Sequence, residues 1–151
     1  MRRVAVAASA VIAVGLITAG CSPSTEAENK TEDANAAVCL SLEGLNATID
    51  GLASGVTGTG DVTVGKAQES INQIDQAYQT VEANLQKLGT DVQDQVLTAQ
   101  QQFEEAQMQV QEGLSGLDGD SNLSDMPAEE AQNIQNLQKS YDELNSSLGC
   151  G

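Results

Sequence analysis

From Val38 onward, apolar residues recur at alternating steps of four and three, the spacing that puts side chains on one stripe of an α-helix. A first stretch carries Val38, Leu42, Leu45, Ile49 and Leu52, and a second Ala67, Ile71, Ile74, Tyr78, Val81, Leu85 and Leu88. A third carries Val92, Val96, Ala99, Phe103, Ala106 and Val110, and a fourth Ile134, Leu137, Tyr141, Leu144 and Leu148. Each follows the a/d seam of packed helices, so the pattern predicts four amphipathic helices.

Punctuation falls between the same stretches. Gly55 to Asp61 and Gly113 to Asp125 are rich in Gly and Asp and read as loops. Only Gly89 and its neighbours separate the second and third stretches. Gly89 suits a left-handed helix cap there, and Thr90 with Gln93 suits a capping box, so these two helices are predicted to form an antiparallel hairpin. Pro127, followed by Glu129 and Glu130, opens the fourth helix. Gly44 and Gly51 each cost about 1 kcal/mol relative to alanine and make the first helix the weakest. The predicted fold is all-α, an antiparallel up-down-up-down four-helix bundle over residues 36–151. The same faces would serve a self-assembling coiled coil, so the oligomeric state stays open.

Ahead of the helices the pattern changes character. Met1-Arg2-Arg3 is a short basic segment, Val4 to Ile17 is uniformly apolar, and Thr18-Ala19-Gly20-Cys21 is small. This is the anatomy of a secretory signal peptide over residues 1–20. The apolar run is shorter than the roughly 20 residues a spanning helix needs. It also lacks the polar and aromatic neighbours of a twin-arginine signal, which favours general secretion. Leu16 to Cys21 resembles the lipobox of bacterial lipoproteins, with Thr18 where that family most often has leucine. The resemblance covers about the first twenty residues. It implies cleavage before Cys21, acylation of the Cys21 thiol and attachment to the outer face of the cell membrane, where two or three acyl chains give stable anchoring. Residues 21–35 are rich in Ser, Thr, Glu and Asn and nearly free of large apolar side chains, which predicts a disordered tether. The layout as a whole resembles the small helical lipoproteins of actinobacteria.

Setting Cys21 aside for lipid leaves Cys39 and Cys150, which in an oxidising compartment make one bridge. In an up-down-up-down bundle the start of the first helix and the end of the fourth meet at one end, where these two cysteines fall. Charge narrows the partners. The chain carries 22 acidic and 6 basic residues, and beyond Cys21 the basic ones are Lys30, Lys66, Lys87 and Lys139 alone. That field repels nucleic acid and anionic headgroups, so membrane attachment must come through lipid on Cys21.

Candidate chemistry is sparse. The chain has no histidine to act as base, and bridged cysteines offer no nucleophile, so no catalytic residue and no enzyme activity are expected. Alanines at 67, 99, 106 and 131 predict close-packed helices with little room for a cofactor cavity of the usual size, and two sulfurs alone do not close a zinc site, so no cofactor is expected. Asp118, Asp120, Asn122 and Glu129 follow part of the ligand order of a calcium-binding loop, without its turn glycine and with Pro127 inside. The expected role is a non-enzymatic structural or interaction lipoprotein with an envelope protein as partner. Two other roles stay open: an accessory that binds a small apolar ligand or lipid for envelope transport, and a calcium-tuned surface module.

Overall fold

A computed structural model describes residues 25–58 and 61–150, with side chains from residue 32 onward. The signal peptide and Cys21 expected from the sequence lie outside the described residues. Four helices follow one another: α1 (Thr25–Val56), α2 (Val64–Leu85), α3 (Thr90–Ser115) and α4 (Ala128–Ser147), with a single 3-10 turn at Leu123–Asp125. No strand occurs among the described residues, only an isolated antiparallel bridge between Thr63 and Asn122.

The predicted stripes are the core. All five apolar residues of the first stretch, all seven of the second and all five of the fourth are buried, as is the third from Val96 to Val110. Val92, at the start of α3, is only partly covered. Named residue pairs tie the helices together. Cys39, Leu42 and Asp50 of α1 meet Cys150, Tyr141 and Gln138 at the end of the chain and on α4. Ser41 of α1 accepts from Asn84 of α2 at 3.0 Å, while Gly55 near the other end of α1 abuts Val62. Gln68, Asp75 and Tyr78 of α2 reach Leu114, Gln107 and Glu104 of α3.

Three boundaries differ from those expected. The disordered tether predicted over residues 21–35 is helical from Thr25 onward, in continuity with α1. Glu26, Ala27, Glu28, Lys30, Ala34, Ala36 and Ala37 favour helix, and Ala34 is buried, so the packed part begins before residue 36. Second, α1 and α3 run through Gly55 and Gly113, which were expected in loops. A Cβ on Gly55 would stand 2.8 Å from Cβ of Val62, and one on Gly113 would stand 2.9 Å from Cγ of Glu130. These glycines permit close approach rather than a turn.

Third, Gly89 is not a left-handed cap. Its backbone is extended (φ −63°, ψ 155°), and it is itself the N-cap of α3, with Thr90 the first helical residue. Gln93 works in the opposite direction from a capping box: its Nε2 donates to the carbonyls of Leu85 (3.3 Å) and Leu88 (3.0 Å), satisfying the end of α2. The left-handed cap lies instead at Gly149, with φ +67°. There the amides of Gly149 and Cys150 donate back to Ser146 and Asn145, each at 3.1 Å, in a Schellman arrangement.

Candidate functional site

The Cys39–Cys150 bridge joins residues 111 apart in sequence, with Cα atoms 5.2 Å apart. Its position follows from local backbone chemistry. The Gly149 cap turns the chain out of α4 and carries Cys150 back to Cys39 of α1. One turn further along, Tyr141 donates its hydroxyl to the Leu42 carbonyl at 3.0 Å, a buried bond between α4 and α1. Burial, then the charges of Asp142, Asp50 and Glu43, push the Tyr141 hydroxyl above the usual tyrosine range.

The opposite end of the molecule is closed without covalent chemistry. The loop after α3 lies against the start of α2, and backbone groups knit the two together. Val64 N donates to Ser121 O and Gly65 N to Gly119 O, both at 2.9 Å, and Leu123 N donates to Val62 O at 2.8 Å. Two of the amides that every helix leaves unpaired at its N-terminus are thereby satisfied by loop carbonyls. Leu123 plugs this clasp, fully buried beneath Gly55 and Val62.

The calcium-like pattern falls in that same loop, and two of its side-chain oxygens are used internally. Asp118 Oδ1 accepts from the Asp120 amide at 3.0 Å, and Asn122 Oδ1 accepts from the amide and hydroxyl of Ser124 at 3.2 and 3.1 Å. Glu129 stands in the first turn of α4, after the 3-10 turn and Pro127. Among the described residues no group of three or more His, Cys, Asp or Glu side chains is placed to hold a metal ion.

Between the ends, the surface carries two polar grooves. One runs along α3 and α4 over the small residues Ala99, Ala106 and Ser140, with Gln102, Lys139 and Glu143 along its length. Lys139 lies 3.8 Å from Glu143 there, an exposed pair. The other runs along α2 and α3, lined by Ile71, Tyr78 and Leu114 together with amides and carboxylates, in two basins of about 300 and 340 Å³ that share Gln111. Tyr78 packs on Phe103 with ring centroids 4.8 Å apart and donates its hydroxyl to Glu104 at 3.4 Å.

Sequence reasoning placed Cys39 and Cys150 together, and the structure brings them together. It missed Leu123, which sits outside every heptad, and the roles of Gln93 and Gly149. The α2–α3 groove left one signal in the sequence. Leu97 and Met108 are apolar but off the stripe of α3, and both are exposed, 51% and 61%. No described helix is long and apolar enough to cross a membrane. No protein family, curated protein or solved structure matches the chain.

Proposed function

We propose that the chain is a lipoprotein anchored through lipid on Cys21 to the outer face of the cell membrane, with a structural or protein-interaction role and no catalysis. The observation that carries this reading is the pairing of Cys39 with Cys150. Such a bridge persists in oxidising compartments outside the cytoplasm, and it leaves Cys21, of the three cysteines, for acylation at the end of an apolar leader. In this reading the helices alternate up-down-up-down, which the opposed registers of neighbouring helices support. The disulfide end then faces the membrane through the N-terminal turns of α1, and the clasp end faces outward.

The test is Cys21→Ser in the bacterial host. The variant is expected to leave the membrane fraction, to keep its leader and to show no acyl mass by intact-protein mass spectrometry. Membrane retention with normal cleavage would overturn the placement.

A further inference from the structure

The α2–α3 groove differs from the α3–α4 groove in three ways that bear on a partner. None of its lining residues is basic, whereas Lys139 sits in the middle of the other. Two of its carboxylates, Asp75 and Glu104, are held by neutral donors, so they are positioned without being neutralised. Asp75 accepts from Gln79 at 3.1 Å and from Gln107 at 3.3 Å, and Glu104 accepts from Tyr78. Third, it is flanked by exposed apolar side chains. Met108 lines it, and Leu97 lies eleven residues earlier on α3, about 20° away around the helix and about 16 Å along it.

The negative charge is concentrated as well as unpaired. After burial, the largest cause, it is Glu104 and Glu82 that push the Tyr78 hydroxyl above its usual range, so both carboxylates bear on one point of the groove. A second copy of this chain, at net charge −16, and an anionic lipid surface are both repelled from such a site. Met108 and Leu97 call for apolar partners. The complement is a helix with cations on one side and apolar residues on the other.

We propose that the groove between α2 and α3 is a docking site for a cationic amphipathic helix of an envelope protein. Its lysines or arginines sit over Asp75, Glu82 and Glu104, and its apolar side chains sit against Met108 and Leu97. This gives a place and a chemistry to the protein-interaction role, and rests on that reading.

The test uses the full chain in neutral phosphatidylcholine nanodiscs, with empty discs as blank. The probe is a fluorescent 18-residue leucine–lysine peptide that is amphipathic as a helix, and its leucine–glutamate counterpart is the control. Binding of the lysine peptide alone is expected. Glu82→Gln with Glu104→Gln should weaken it roughly tenfold at low salt, the effect shrinking as salt rises. Leu97→Ser with Met108→Ser should weaken it about fivefold at low and high salt alike. Glu105→Gln with Glu143→Gln, which removes the same charge from the α3–α4 face, should change it less than about twofold. Circular dichroism melts confirm that each variant is folded. An equal loss in the α3–α4 variant would mean attraction to the overall charge and would overturn the site, as would unchanged binding in both groove variants.

A second arm separates this site from the wider reading. A photoreactive side chain replacing Gln79 is expected to capture a protein neighbour on intact cells. Capture from a probe at Asn136 on the other face, but not at Gln79, sinks the groove and leaves the interaction role standing. Capture from neither position sinks both.

Discussion

The two ends of the bundle are closed by different physics. At one, a single covalent bond joins Cys39 to Cys150 after the Gly149 turn. At the other, backbone hydrogen bonds from Val64, Gly65 and Leu123 knit two loops over one buried leucine. A disulfide acts chiefly by restricting the unfolded chain, so it stabilises the fold almost regardless of what packs around it. The clasp acts only in the folded state and depends on every carbonyl being where an amide needs it. Thus the ends fail under different conditions: the first in reductant, the second by loss of shape.

Breaking the covalent end has the largest expected effect. Replacing both Cys39 and Cys150 with serine reopens a loop spanning 111 residues in sequence and should cost about 4 kcal/mol of stability. Chemical denaturation in the presence and absence of dithiothreitol checks it. Reductant should lower the midpoint of the natural protein to that of the double variant and leave the variant unmoved. A midpoint insensitive to reductant would place the stability elsewhere.

The clasp end is broken next. Leu123→Ala removes a fully buried side chain that packs beneath Gly55 and Val62, and should cost about 3 kcal/mol through lost burial and the cavity left behind. Hydrogen exchange localises the damage: the amides of Val64 and Gly65 should lose protection well before those around Tyr141. If the loss spreads evenly to the disulfide end, the two closures are one cooperative unit and the contrast between them fails.

How far each end was legible in the sequence follows from where its information resides. The covalent end is written in residue identity, since Cys39 falls near the start of the first heptad stretch and Cys150 just after the last, and the expected alternating bundle brings those positions together. The stripes were legible for the same reason: Ile74, Phe103 and Leu137 sit where a helical period puts them, and all are buried. The clasp is written in backbone amides and carbonyls, which look alike at every residue. Leu123 stands alone among Gly, Asp and Ser, with no period to mark it as core. Gly89 and Gly149 show the limit of reading caps from glycine. Both lie next to helix ends, yet only Gly149 has a positive φ, because Gln93 already satisfies the carbonyls that a left-handed turn at Gly89 would have served. Of the α2–α3 groove, the sequence holds one sign that the stripe reading passed over, the off-stripe Leu97 and Met108. The meeting of Asp75, Glu82 and Glu104 was not legible, because it depends on how α2 and α3 are rotated against each other.

A smaller effect sharpens the covalent end by titration. The Tyr141 hydroxyl is bonded to the Leu42 carbonyl near the bridge, and its pKa is raised above the ordinary 10.0 by burial first and nearby carboxylates second. The folded protein therefore holds this proton more tightly than the unfolded chain does. The stability it contributes is fully present below pH 10 or so and is lost as pH climbs past that value toward the folded pKa. Tyr141→Phe should cost about 1 kcal/mol at pH 7 for the lost hydrogen bond, and should flatten part of the alkaline decline. Denaturation midpoints from pH 8 to 11 measure both, and an undiminished decline in the variant would assign it to Tyr78, whose hydroxyl is shifted in the same direction.

The smallest effects contrast two glycines near the same end. Gly149 has φ +67°, where a Cβ costs roughly 1 kcal/mol, so Gly149→Ala should lower stability by about that amount. Gly89 has φ −63° and open space where a Cβ would go, so Gly89→Ala should cost only a few tenths of a kcal/mol, the ordinary difference at an N-cap. The difference should persist when the same substitutions are made in the Cys39→Ser, Cys150→Ser background, because the left-handed strain belongs to the backbone rather than to the bridge. If the Gly149 cost vanishes without the disulfide, then the bridge imposes the turn, and the Schellman cap follows from the covalent bond instead of delivering Cys150 to it.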